Sequence, residues 1–451
     1  MKNMRLFKSK NKNYKKVKIS STQKESKRRK NLESSIYISH NIIIIFKIIL
    51  LIIFSYYSFS LYSKEKLPQK ISESEFNEMK SYIQANSNIS LDEIYSYRQL
   101  CRDKKFIEGN PNFKKSENPI ITVIITMHNQ AHCIHKCLRS VQNQSIKNIE
   151  ILIIDDCSTD NSTETINEFQ KEDPRIVLFS HEMNEGPIKS RADGVRLAKG
   201  TYINIVDGDD ALAHKDILKH ALYIAQKGNL DIIEFQAASF KRKEFRTVVN
   251  AYSMINLTYI VYQPELKKKF FIISDNEGIR AVQSRCIYAK LVKNEVFKEA
   301  LNFIGTKYTD DFILTYEDAI MAVGILQVAK SYFYLKELGY YYSRDQFGGN
   351  YPKLKNKVCK PNPKKRGGFG HMNLLHFLLD MTKNNEFDRQ LVYHELISIH
   401  HYLSLVIFTN RFSYTYEVLD TLINSNYLSD RQKQRLIGIK TKIENKQKGI
   451  K

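Results

Sequence analysis

Three short acidic runs have the composition to act together: Asp155-Asp156, Asp207-Gly208-Asp209-Asp210 and Glu317-Asp318. The second follows the apolar run Tyr202–Val206, so it reads as a buried strand that delivers three carboxylates to an open edge. Unpaired carboxylates are costly to bury, and clustered Asp oxygens suit a hard divalent cation. A strand running into a type I turn rich in Asp and Gly has the same sequence, so the flanking elements must decide between the two. Glu317 and Asp318 open the apolar run Ala319–Leu326, where a helix dipole alone would favour acids.

The elements needed to position these residues follow from periodicity. Ile120–Thr126 is β-branched and apolar on both faces, as a central parallel strand must be. Ala131–Gln144 places Ile134, Leu138 and Val141 at helical spacing. Ile149–Ile154 is a second buried strand that ends at Asp155 and Asp156. A helix over Ser162–Lys171 follows, with Asp160 or Asn161 as its N-cap, and Arg175–Phe179 is a third strand. Pro187–Lys199 is expected to be helical and to stop at Gly200 as its C′ residue. Helices are also expected over Lys215–Lys227 and Cys286–Ala300, with a strand over Leu230–Phe240. Strand–helix repeats of this length imply a doubly wound, mostly parallel α/β sheet, because parallel neighbours need a crossover helix. Ligands in such sheets sit beyond the carboxyl ends of the strands, where Thr126, Asp155, Asp156 and Asp207–Asp210 all fall.

The 451 residues suffice for one large or two modest domains. The net charge of +22 is concentrated in the first 35 residues, which carry about half of it, so nucleic acid is not an expected partner. Residues 41–62 are almost wholly apolar and about the length that a helix needs to cross a bilayer. Tyr56, Tyr57, Phe59 and Tyr62 form an aromatic belt at the far end. The expected organisation is therefore a basic cytoplasmic tail (1–40), one membrane anchor (41–62), a stem (63–115), the α/β domain (116–350), and a linker with a helical C-terminal region (351–451). The positive flank keeps the amino terminus cytoplasmic and puts the remainder in the lumen of the Golgi or ER, or outside the cell. Cys133 and Cys137, four apart on an expected helix, read as buried thiols.

With these residues in place, Pro119–Asn350 resembles the inverting family 2 glycosyltransferases of the GT-A fold. Pro119–Asn129 is similar to that family's opening strand and Ile154–Ser162 to its second. Asn184–Gly194 and Val206–Asp210 resemble its third and fourth motifs, and Tyr316–Asp318 and Leu338–Ser343 its later acidic and Tyr-rich ones. The resemblance implies a nucleotide-sugar donor, most simply a UDP-sugar. Asp156 would accept from the uracil N3–H, Thr126 would line the pocket, and His128 would stand where the family has a base-stacking Tyr. Arg191 matches an Arg of the donor pocket. Asp207 would hold the ribose or the metal, and Asp209 would ligate Mn2+ or Mg2+ bridging the phosphates. Asp318, with Glu317 beside it, would be the base that takes a proton from a hydroxyl of a glycan, glycoprotein or glycolipid acceptor. Thr126 stands where the family usually has Pro, and the residues after the Tyr-rich motif read Gly348-Gly349-Asn350. The chain contains no Trp, so the Gln-x-x-Arg-Trp signature of processive synthases is absent. A membrane-tethered carbohydrate-binding or scaffold protein with this fold and no turnover is the alternative, against which Asp207, Asp209 and Asp318 argue.

Overall fold

The structure is a computed structural model and describes residues 70–86, 90–102, 113–241, 244–247, 259–266, 286–313, 316–343, 370–381, 412–426 and 428–448. Among them, ten strands form one sheet: β1 (Ile121–Met127), β2 (Ile149–Asp155), β3 (Ile176–Ser180), β4 (Tyr202–Asp207), β5 (Ala211–Leu212), β6 (Ile232–Lys241), β7 (Glu244–Thr247), β8 (Val261–Tyr262), β9 (Lys290–Lys293) and β10 (Ser331–Tyr342). The helices are α1 (Glu73–Asn86), α2 (Leu91–Arg102), α3 (Ile134–Gln142), α4 (Ser162–Glu172), α5 (Pro187–Leu197), α6 (Ile217–Lys227), α7 (Asn294–Ile304), α8 (Thr306–Thr309), α9 (Glu317–Val328), α10 (Gly370–Met381), α11 (Phe412–Ile423) and α12 (Asp430–Gln447). The strand order is β3-β2-β1-β4-β9-β6-β10-β5, with β7 on β6 and β8 on β10.

One half of the sheet is the parallel, doubly wound unit expected: β1 pairs with β2 and β4, and β2 with β3, all in parallel. The other half is mixed rather than mostly parallel. β9 runs antiparallel between β4 and β6, and β5, β7 and β8 also pair antiparallel, while β6 and β10 are parallel. This corrects the helix expected over Cys286–Ala300. Lys290–Lys293 is a strand, and the helix begins only at Asn294, whose amide donates to the carbonyls of Ala198 and Gly200 at 3.1 and 2.7 Å. Short apolar runs fit either period. Here the unpaired edges of β4 and β6 supply partners that a helix could not use.

Side chains alternate across the sheet and build a core on each face. Val123, Ile125, Ile151 and Ile153 pack with Ile134, Leu138, Ile166 and Ile217, from α3, α4 and α6. Ile124, Leu152, Ile154, Ile203 and Ile205 face the other way, toward Ile188 and Val195 of α5 and the apolar residues of α7 and α9. Each fully buried aliphatic side chain contributes about 1.5–3 kcal/mol, so both sides of the strand tips rest on rigid layers. The described parts of the C-terminal region are helical and join the second core through Leu374, Phe377, Leu419, Leu436 and Ile439.

Two local expectations change. Gly200 is not a C′ residue, because α5 ends at Leu197 with Ala198 as its cap at φ −59°. A Cβ on Gly200 would lie 2.3 Å from the backbone nitrogen of Thr122, so it is the close passage over β1 that requires glycine. Asn161 occupies the N-cap of α4 without a side-chain bond, and Asp160 Oδ1 accepts from the Ser162 N–H at 3.1 Å instead. The two helices of the expected stem start in capping boxes, Ser72 with Glu75 and Ser90 with Glu93. They pack on the domain: Met79 is fully buried against the β1 core, and the Tyr97 hydroxyl donates to the Ser140 carbonyl at 2.6 Å. Cys133 and Cys137 are buried thiols that form no disulfide, as expected. The basic tail, the anchor at 41–62 and most of the linker lie outside the described residues. Among the described residues no helix is long and apolar enough to cross a membrane.

Candidate active site

Register brings the acidic tips to one edge. Thr126 lies opposite Asp207 on β4 and Ile154 on β2, and Met127 lies opposite Asp155. Asn129 then turns the chain at φ 55°, a left-handed conformation that Asn tolerates, and its Oδ1 accepts from the Thr159 N–H at 2.7 Å. Its own N–H donates to Ser158 Oγ at 2.9 Å. The loops after β1 and β2 are thereby tied into one wall.

Arg191, on α5 and 4% exposed, is the junction of the site. Its Nη2 donates to Asp207 Oδ1 at 2.8 Å and its Nη1 to Glu317 Oε1 at 3.0 Å, while Asp318 Oδ1 lies 2.9 Å from Nη1. One guanidinium thus joins the strand-tip acid to the acid pair at the start of α9. A planar, permanently charged fork is suited to this, where Lys would supply a single point charge. The contact to Asp318 is electrostatic without hydrogen-bond alignment, and that oxygen has no hydrogen-bond partner among the described residues. Glu317 is committed to Arg191 and Asp318 is not. Burial pushes the Asp318 carboxyl up to about 8, with Glu317 and Asp207 adding to the rise and Arg191 opposing it. Tyr316, at φ 62°, is held in the left-handed region immediately before this pair, a strain of about 1–3 kcal/mol at the point where α9 enters the site.

The three acids at the end of β4 have different surroundings. Asp207 faces Arg191. Asp210 is 2% exposed, and it accepts the Tyr340 hydroxyl at 2.6 Å and the Ser343 N–H at 2.8 Å. It therefore fastens the end of β10 to the strand tip. Asp209 has no ion-pair partner among the described residues, and burial together with the charge of Asp207 pushes its carboxyl up to about 6. Such a carboxylate gains from an added cation.

Asp156 closes the other end of the edge. Its Oδ1 accepts from the Glu185 N–H at 2.7 Å and faces His181 Nδ1 at 2.9 Å, and its Oδ2 accepts from the Gly186 N–H at 2.8 Å. Gly186 presents that N–H from φ +88°, a conformation side chains resist. His128 is pinned beside it, with Nδ1 2.7 Å from the Asp156 carbonyl and Nε2 within 3.0 and 3.3 Å of the Asn129 and Asn184 amides.

All eight residues expected at the site, Thr126, His128, Asp156, Arg191, Asp207, Asp209, Glu317 and Asp318, lie at strand tips or on the loops and helices that meet them. Sequence reasoning did not anticipate the bridging role of Arg191, the Asp210–Tyr340 clasp, or His181. Tyr340 lies in the Tyr-rich run already singled out; His181 carries no local signal.

The profile of the family described as Glycosyl transferase family 2 matches residues 122–301. An uncharacterized glycosyltransferase of Haemophilus influenzae is 37% identical over 108 residues, which cover 24% of this chain and 43% of that protein. One of Rickettsia felis is 30% identical over 224 residues, covering 44% and 37%. The poly(ribitol-phosphate) beta-glucosyltransferase of Bacillus spizizenii is 34% identical over 102 residues, covering 22% and 16%. The matches thus span less than half the length of each of these relatives. Among solved structures, residues 1–349 of S. aureus TarS in complex with UDP-GlcNAc align with a TM-score of 0.49 at 16% identity, covering 72% of this chain and 88% of that one.

Proposed function

With residues 122–301 forming a family 2 glycosyl transferase domain, we propose that this chain is an inverting, non-processive, metal-dependent glycosyltransferase that moves a sugar from a UDP-sugar to a hydroxyl of a glycan, glycoprotein or glycolipid. The observation that carries the reading is the Arg191 junction. Two acidic motifs more than 100 residues apart in sequence converge on one guanidinium, as a reaction needs when charge must be managed on both sides of a transferred group.

Mn2+ or Mg2+ fits the residues present. Asp207 and Asp209 offer hard oxygens, and the carboxyl of Asp209 is held up by burial and a like charge. Among the described residues no three His, Cys, Asp or Glu side chains are grouped to hold a metal unaided, so phosphate and water oxygens would complete the shell. When bound, the ion supplies a Lewis acid that offsets the charge of the departing diphosphate. Asp156 retains one lone pair on Oδ2 for a uracil N3–H, with Thr126 and His128 bordering the base. Arg191 keeps Asp207 and the acid pair in fixed relation. Asp318, the member of the pair free of a hydrogen bond to Arg191, takes the proton of the acceptor hydroxyl. An attack in line with the departing diphosphate inverts the anomeric centre. Residues 41–62 anchor the chain, with the catalytic part lumenal or extracellular.

The test is a donor screen. Nucleoside diphosphate release from UDP-, GDP- and dTDP-sugars is measured with Mn2+ or Mg2+, with and without glycan acceptors. Metal-dependent release from a UDP-sugar is expected; release from no donor with either metal would overturn the assignment.

A further inference from the structure

The loop between β3 and α5 folds over Asp156, donating the Glu185 and Gly186 N–H groups to it and setting one imidazole beside it. His181 Nδ1 lies 2.9 Å from Asp156 Oδ1, and its Nε2 lies 3.2 Å from Asp193 Oδ2 on α5. The side chain is nearly buried, and its ring centroid lies 5.5 Å from that of Phe179 in a T-shaped arrangement. Both ring nitrogens therefore face carboxylate oxygens. A neutral imidazole has one N–H and would turn a lone pair toward one of them; only the imidazolium donates to both. Asp193 is held from its other sides by Lys189, at 2.6 and 2.7 Å, and by Arg196 at 2.7 Å. These two cations approach Asp310 beyond α8, at 3.9 and 3.3 Å. The charged groups that face His181 are thus Asp156 from the end of β2 and Asp193 from α5.

We propose that His181 is a positioning residue of the donor site, which as an imidazolium clamps one oxygen of Asp156 so that the remaining lone pair on the other is aimed at the donor's base. This rests on the reading of Asp156 given above. Asp156 has about four lone-pair sites, and three are taken by Glu185, Gly186 and His181. The carboxylate then accepts one N–H, in a direction fixed by the other three. Burial by itself would strip the proton from His181. The bonds to Asp156 and Asp193 outweigh it and lift the group to about 9, so the clamp is present at neutral pH and is lost as pH rises through that value.

Two measurements test this on the whole chain. In the first, the imidazole C–H resonance of His181, identified by its absence in His181→Gln, is followed against pH by NMR. It should titrate at about 9, and in Asp193→Asn it should titrate at lower pH. A His181 that is neutral at pH 7, or unmoved by Asp193→Asn, overturns the proposal. The second compares UDP affinity and donor kinetics at pH 7, because the uracil imide itself ionises in the alkaline range. His181→Gln should weaken UDP binding and raise the donor KM by roughly tenfold or more with little change in kcat. Unchanged affinity, or a fall in kcat alone, contradicts a positioning role. Should His181→Gln not fold, Asp193→Asn takes its place in the second measurement, with the same expected direction. Parent protein that binds no nucleoside diphosphate refutes the donor-site reading, whereas binding that ignores His181→Gln refutes only this inference.

Discussion

Asp209 and Asp318 are both carboxyls raised by burial, and the rise has opposite uses. For Asp209, a folded value of about 6 against an ordinary 3.8 means that the fold loses stability as pH rises from about 4 to about 6 and keeps that loss at higher pH. Asp209→Asn should accordingly stabilise the metal-free protein more at pH 8 than at pH 5, by about 1 kcal/mol after solvent screening, read as a larger rise in melting temperature at pH 8. The same variant should lose Mn2+-dependent UDP affinity in calorimetry; affinity equal to the parent's would show that Asp209 is not a ligand. Asp318 must be ionised to act as a base, so transfer should climb as pH approaches about 8. Asp318→Asn should lower kcat by roughly 10²- to 10⁴-fold while UDP binding survives. Normal transfer by Asp318→Asn together with failure of Glu317→Gln would exchange the roles of the two.

At the scale of elements, the site depends on how closely β4 enters beside β1 and on where α9 begins. α9 is apolar on every side and buried from Ala319 to Leu326, so its first turn is rigid and its dipole favours the acids there. Entry to β4 depends on Gly200. Gly200→Ala puts a Cβ 2.3 Å from Thr122 N and 2.6 Å from the Ile121 carbonyl carbon, both backbone, so relief requires moving β1 itself. A loss of about 1–3 kcal/mol in urea unfolding is expected, with reduced donor binding because Thr126 and Asp207 move with their strands. Gly438, in α12, is the control: a Cβ there meets nothing within 4 Å, and Gly438→Ala should stabilise by about 0.5–1 kcal/mol. Similar losses at both positions would argue against the close approach at β4.

For the molecule as a whole, the sheet, its two helical layers and the helices α1, α2 and α10–α12 enclose two cores within Lys70–Lys451, one compact unit. Deleting residues 1–62 should therefore release a protein that stays soluble without detergent and keeps metal-dependent UDP binding, while the whole chain sediments with membranes. In sealed microsomes, added protease should trim only the basic tail. Digestion of the bulk of the chain would reverse the orientation, and a whole chain found in the soluble fraction would remove the anchor.

The parallel half of the fold was legible because β1, β2 and β4 are apolar on both faces and the helices between them repeat at 3.6 residues, which leaves few alternatives to a doubly wound sheet. That Asp156, Asp207 and Asp209 stand at one edge was legible for the same reason, since they follow directly from where those strands stop. Other features depend on partners distant in sequence. β9 is a strand because β4 and β6 offer it hydrogen-bonding edges, and the four residues Lys290-Leu291-Val292-Lys293 cannot announce that by themselves. Gly200 resembles a helix terminator until the chain is seen to pass over Thr122. The resemblance marks Arg191 for the donor pocket, but only the packing of α5 beside β4 and α9 brings its guanidinium to Asp207, Glu317 and Asp318 together. Local periodicity fixes which residues reach the edge, but which carboxylate is neutralised, fastened or left free is an electrostatic outcome of tertiary contacts.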